Sequence, residues 1–466
     1  MSNILKDDPN KALISMSLPI SIGMLSTFLF QVIDTYFVGQ LGPESLAALS
    51  FSSTVYFMMV GLFIGLSVGV SVIIGQATGA SDIKKVRHTT WIAALLCLVL
   101  TSLLSFLGIF FIDPIFDLMG ADAAVIPLIR EYMIPLLSGI PLLTTGILIG
   151  GVLRATGNIT KPEVLMAIAG VINLFFDYVL IFGKWGFPEL GIQGAAYATV
   201  LSWVFVILGM VILLIRDQLL RPFSRSDRSN QQIIQEIFQL GGPSILTQII
   251  GPFTLMYLTF LLARESSLAV AAFGVAGRIE TLLMIGILGI STAITPFIAQ
   301  NSGAKQTDRI DQAIAFGGKA STYLGLLVAA LMFLLIKPIA ALFSDHPEVI
   351  QHTANYFYIV SLSYVSYGLY LITTSILNGL QLPVNSMKIS LVKSLAFTLP
   401  LTLIGAYWGV TGIFIGLSLS NVLAGIYAGW EMRKEFVRSD SSLKNVSVWK
   451  EYQQDIYRVF GKKRSS

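Results

Sequence analysis

Twelve long apolar runs divide this chain, at roughly 12–37, 47–77, 89–112, 124–150, 162–183, 192–215, 234–262, 270–300, 313–336, 348–377, 389–408 and 410–431. Each is long enough for the ~20 helical residues that cross a hydrocarbon core. Only 12% of the 466 residues are charged, with a mean hydropathy of +0.77, where a soluble domain carries about twice that charge fraction. The alternating segments of about ten residues that a membrane β-barrel needs are absent. Inside a bilayer the backbone must satisfy its own polar groups, which leaves the helix. The expected fold class is therefore an all-α polytopic membrane protein with twelve transmembrane helices.

Basic residues give the expected orientation. With the amino terminus in the cytoplasm, one side collects Lys84, Lys85, Arg87, Arg154, Lys161 and Lys305 among others, while the opposite loops hold Arg130, Lys184, Arg264 and Lys337. This bias follows the positive-inside rule, so both termini are expected to be cytoplasmic. The net charge of +4 then reports topology and asks for no nucleic-acid partner. The first apolar run is too long for a signal peptide and follows Asp7 and Asp8, so it is expected to stay as the first helix. The single cysteine, Cys97, excludes an intrachain disulfide.

The chain also matches itself at an offset of 224 residues. Gly65, Ser67, Gln76 and Gly79 fall on Gly289, Ser291, Gln300 and Gly303; Pro19 falls on Pro243 and Tyr132 on Tyr356. Each copy holds six spans, an even number, so the repeat is parallel about an axis along the membrane normal, and a shared site belongs between the copies. The expected organisation is an N-terminal lobe over 1–215, a cytoplasmic connector over 216–233, a C-terminal lobe over 234–431 and a cytoplasmic tail over 432–466. The Gly/Ser/Ala-rich second and eighth spans suit close helix packing. Pro19 and Pro243 interrupt the first and seventh spans as kinks or hinges.

Few charges lie well inside the spans, and those are the functional candidates. Asp34 lies near the outer end of span 1, in a run that includes Gln31 and Tyr36; Asp177 lies toward the outer end of span 5, on one face with Asn173 four residues earlier. Counting back from the outer ends at 1.5 Å per residue puts Asp34 ~6 Å, Asp177 ~9 Å, Thr199 ~10 Å and Tyr132 ~12 Å inside. One polar layer in the first copy is the result. Desolvation disfavours the charged form of both carboxyls, and two anions repel, so a proton held there near neutral pH can act as a carrier. A structural carboxylic acid is one alternative, and a sodium site on Asp34, Asn173 and Asp177 is another.

The second copy has Leu258 opposite Asp34 and Pro400 opposite Asp177, which assigns the ion chemistry to the first. Arg278 and Glu280 enter span 8, where they could pair, line the central cavity or serve structure. Lys393 is expected to snorkel to the cytoplasmic surface. Span 10 carries a polar-aromatic stripe with Tyr364, Tyr367 and Tyr370, suited to packing or to the wall of an amphipathic pocket. His88, His346 and His352 show no metal-ligand spacing with Cys97. No phosphate loop and no catalytic constellation are present, so no enzyme is expected.

These residues resemble the multidrug and toxic compound extrusion (MATE) transporters, and more narrowly their DNA-damage-inducible-F (DinF)-like branch, over the chain up to about residue 432. The features are Pro19 and Asp34 on span 1 and Asn173 with Asp177 on span 5. The resemblance implies a V-shaped pair of lobes, alternating access and a multi-pass location in the plasma (inner) membrane of a bacterium or archaeon. It implies export of small organic cations or amphiphiles by a monomer without a cofactor, driven by H+ or by Na+. By position it makes Asp34 and Asp177 the coupling acids, Asn173, Tyr132 and Thr199 their polar support, and Pro19 the hinge. Gln31, Tyr36, Arg278 and Tyr367 are the candidate substrate-cavity residues. Acids within the membrane core of spans 7 and 10, which mark the sodium-coupled NorM-like branch, are absent; span 7 has Gln248 instead. A lipid-precursor flippase is the competing transport reading, with Arg278 as its one obvious cation.

Overall fold

The computed structural model describes residues 4–221 and 226–438. Arg225 of the expected connector and the tail from 439 onward lie outside the described residues. The chain runs through α1 (Pro9–Gly39), α2 (Pro43–Gly79), α3 (Ile83–Phe110), a short α4 (Ile112–Leu118), α5 (Ile126–Ala155), α6 (Thr160–Ile181) and α7 (Gly191–Arg216). The second half holds α8 (Asn230–Glu265), α9 (Ser267–Gly303), α10 (Thr307–Ala341), α11 (Pro347–Val360), α12 (Tyr364–Gly379), α13 (Pro383–Leu391), α14 (Leu399–Gly405) and α15 (Gly409–Arg438). No strand occurs among the described residues.

Local chemistry starts these helices where polar residues meet apolar runs. Asp8 accepts from the Lys11 amide at 3.0 Å with Pro9 next to it, Asp82 accepts from Lys85 at 2.9 Å, and Ser229 with Gln232 forms a capping box. Among the described residues, eleven helical runs are long and apolar enough to cross a membrane. The eleventh, Pro383–Glu435, folds back on itself at Gly409, whose φ of +68° suits glycine alone. α14 and α15 pack along each other there, so the chain makes the twelve passes expected.

The 224-residue offset reappears as geometry. Ser67 of α2 donates to the Ile147 carbonyl of α5 at 3.4 Å, and Ser291 of α9 donates to the Leu371 carbonyl of α12 at 3.2 Å. Ser81 and Lys305, also 224 apart, are both left-handed, at φ +60° and +57°. These short polar turns end α2 and α9 at what we call the basic end, where Lys84, Lys85, Lys305 and Arg309 cluster in sequence.

The halves are joined there. The first turns of α1 (Leu13, Met16, Ile20) are buried with Ile294 and Phe297 of α9, and Ile233 and Ile237 of α8 are buried with Val70, Val86 and Val152 of the first half. Each half thus lends the base of its first helix to the other. Where helices cross, glycine removes the side chain that would hold them apart. A Cβ on Gly65 would lie 2.5 Å from Ile245 Cα, and a Cβ on Gly69 would lie 2.5 Å from the Gly241 amide. Polar ties complete the join. Lys85 pairs with Glu236 at 2.8 Å, Gln300 donates to the Ala155 carbonyl at 2.5 Å, and Arg309 holds the Ile4 and Asp7 carbonyls at 2.8 and 2.6 Å.

Candidate functional site

In the first half, α1, α2, α5, α6 and α7 surround a cavity of ≈ 230 Å³. Small residues bring its walls together. Gly170 of α6 has no room for a Cβ because the Phe30 ring of α1 lies over it, and Gly139 of α5 takes Val200 and Trp203 of α7. At the far end, Phe37 of α1 packs edge-on against Phe182 at 5.9 Å and tilted against Tyr178 at 6.2 Å. α1 is therefore pinned against α6 above and below the height of Asp34.

Asp34, Gln31, Tyr132, Asn173 and Thr199 all border this cavity. Asp177 is fully buried behind Asn173, whose amide points to the Asp177 Oδ1 and to the Thr199 hydroxyl, each at 3.4 Å. Thr199 gives its own proton to the Ala195 carbonyl at 3.0 Å, which leaves its oxygen free to accept. Asp34 and Tyr132 thus share the cavity wall with Asn173, which links it to Asp177. Asp34 Oδ1 and Asp177 Oδ2 are buried without a hydrogen-bond partner. A buried lone acceptor is costly, and adding a proton to either carboxyl removes a charge and supplies a donor. The arrangement can therefore take up and release a proton at a cavity that also has aromatic walls.

Pro19 lies within α1, which continues unbroken from Pro9 to Gly39. Tyr36 lies outside the cavity, exposed and against Phe37. Arg278 is exposed on α9 and does not border it. Nor does it pair with Glu280, because residues two apart point to different sides of a helix. Glu280 instead accepts from the Tyr356 hydroxyl at 2.7 Å. Tyr367 is half-buried on α12 in the second half, stacked on Tyr370. Lys393 does not snorkel: its ammonium rests over the Tyr367 and Tyr370 rings at 5.3 and 5.5 Å. Among the cavity residues missed from sequence are Tyr56 of α2 and Trp203 of α7, whose rings stack at 6.1 Å and 6°. The repeat held a signal for Tyr56, since it falls on Glu280, so both copies are polar at that height.

The MatE family model matches the chain twice, over residues 19–179 and 243–404. The FAD transporter of Shewanella oneidensis is 34% identical over 418 residues, covering 89% of this chain and 92% of that protein. The probable multidrug resistance protein NorM of Thermotoga maritima is 25% identical and covers 92% and 94%. A crystal structure of a mutant of the Vibrio cholerae MATE transporter VcmN superposes with a TM-score of 0.90 at 27% identity, covering 93% of this chain and 98% of the other. A helical fold repeated in two halves, a polar cavity inside it and a double family match identify the chain as a member of the MatE family, a multi-pass membrane transporter of small organic compounds and not an enzyme.

Proposed function

We propose that this chain exports cationic or amphipathic organic compounds by antiport against protons, with Asp34 and Asp177 as the coupling pair. The observation that carries the reading is one acid on the cavity wall, Asp34 of α1, and a second behind Asn173, Asp177 of α6, each with a buried oxygen that has no partner. Asn173, Thr199 and Tyr132 hold the geometry of that pair, and Pro19 removes one hydrogen bond from α1, where the helix can bend as the pair changes charge. In this reading the protein lies in the plasma membrane with the basic end and both termini in the cytoplasm, an orientation that the positive-inside bias supports. In that orientation, the joining of the halves at the basic end makes this a state closed to the cytoplasm. The driving force is adequate: ~2.3 kcal/mol per proton at 100 mV and ~1.4 kcal/mol per pH unit.

The test is efflux from cells or proteoliposomes with imposed gradients. Wild-type export should stop when the pH gradient is collapsed and continue when only a sodium gradient is removed. Asp34→Asn should lose gradient-driven export while still binding substrate. Undiminished, gradient-sensitive export by that variant would overturn the assignment, and dependence on the sodium gradient would transfer the cluster to Na+. Flavin compounds are a second reading of the substrate, favoured by the 34% identity to a FAD transporter.

A further inference from the structure

The second half carries a polar cluster at the place that the cavity occupies in the first. At the 224-residue offset, Tyr56 and Tyr132, both cavity residues, fall on Glu280 and Tyr356, and Lys393 lies in the span that corresponds to α6. The first half presents two acids at this height; the second presents one acid, Glu280, and a lysine, Lys393. We propose that the face formed by Lys393, Tyr367 and Tyr370 is a binding site for an aromatic compound bearing a phosphate or carboxylate group.

The backbone is built to present Lys393. Between α13 and α14 the chain winds as a π-helix over Val392–Thr398, a wide form that re-aims side chains and recurs at functional sites. Thr398 donates its hydroxyl to the Lys393 carbonyl at 2.9 Å, so the wide turn is held, and Thr254 of α8 meets Ser394 at 2.5 Å. The lysine is thereby turned toward α12 and away from the basic end. There the Tyr367 and Tyr370 rings lie nearly parallel, 14° apart with centroids at 5.9 Å, and Tyr370 is fixed by a 2.9 Å bond between its hydroxyl and Ser390.

Among the described residues, the Lys393 ammonium has no hydrogen-bond acceptor and no carboxylate within ion-pair distance; its contacts are the two ring faces. An ammonium has three donors, and a charged group within a membrane span calls for an opposite charge. Glu280 is near enough to interact electrostatically, but its carboxylate is engaged by Tyr356 at 2.7 Å. Lys393 and Tyr367 are only partly buried, so an incoming group can reach them. An anionic oxygen satisfies the ammonium, and an aromatic ring joined to it lies against the tyrosines. The fate of such a ligand as cargo rests on the exporter reading; its binding does not.

The full-length protein in lipid nanodiscs, titrated with FMN and with riboflavin, provides the test, since these fluorescent probes differ by one phosphate. Wild type should bind FMN at least tenfold more tightly than riboflavin. Lys393→Met should remove that preference, Lys393→Arg should retain it, and Tyr367→Leu should weaken both probes. Equal binding of the two probes by wild type, a comparison that needs no variant, overturns the proposal. So does a Lys393→Met protein of unchanged FMN affinity. An Asp34→Asn protein that binds FMN normally but is uncoupled supports both readings. Absence of the phosphate preference in wild type with proton coupling intact fails this one alone.

Discussion

The backbone of Gly79 passes so close to the Gln300 carbonyl oxygen that no β-carbon fits between them, and Gly303 stands in the same relation to the Gln76 carbonyl. Both contacts come from one sequence position in each copy, facing across the symmetry axis. They bring α2 and α9 together at the basic end, and that closure follows directly from the absent side chains.

Gly79→Val should therefore force this end apart, at about 1–3 kcal/mol for the overpacking. Spin labels on Lys84→Cys and Lys305→Cys, with Cys97→Ser, should show a larger share of long distances than the parent. Gln300→Ala, which removes only the bond to Ala155, should shift the population less. An unchanged distance distribution in Gly79→Val would show that the crossing is not what holds the ends closed.

Gly170→Val leaves both acids in place but puts a side chain where the Phe30 ring lies. It should push α1 from α6 and separate Asp34 from Asp177. Proton-driven export should fall at least tenfold, while the thermal midpoint in detergent moves by only a few degrees. Normal transport by this variant would mean that the carboxyls act without close apposition.

The final helix pair depends on Gly405 and Gly412, each of which packs against the other's carbonyl with no space for a Cβ. Gly412→Leu should lower stability by ~2–3 kcal/mol, read as a lower unfolding temperature. Gly429 of α15 has open space around it, so Gly429→Ala should be neutral or slightly stabilising. Equal effects at the two positions would refute the packing account.

At the end opposite the basic one, the Arg130 guanidinium beside Asp113 holds its carboxyl below the usual carboxylate range; the pair includes a 2.6 Å bond from Nε to Oδ1. A lowered value means that the tie is intact above the ordinary carboxylate titration near ~3.9 and is lost as pH falls through the lowered value. A spin label on Leu118→Cys, at the exposed end of α4, should gain mobility only on that acid side. Asp113→Asn should be mobile throughout, with no acid step. A step that persists without the carboxyl would assign it to another group.

Asp34 and Asp177 were legible because a charge within an apolar run is expensive wherever the run lies, and Asn173 because a spacing of four fixes a shared helix face. Asp177's place behind Asn173, away from the cavity wall, was not legible, since it depends on how α6 is rotated against α7. Arg278 and Glu280 could be read as a pair along the sequence, but among the described residues Glu280 meets its partner, Tyr356, on α11 instead.

The amino-acid sequence by itself determined the number of passes, the parallel duplication and the confinement of the acid pair to one copy. Hydropathy, charge and self-similarity are properties of residues in order and need no neighbour from another helix. Only the tertiary structure decided that Tyr56 and Trp203 complete the first cavity and that Tyr36 and Arg278 stand outside it. The π-helical turn that swings Lys393 over Tyr367 was likewise invisible along the chain. The reason is geometric: a side chain's surroundings depend on helix rotation and on how closely two backbones approach. At Gly170 under Phe30, as at Gly79 under Gln300, that approach is set by contacts between residues far apart in sequence.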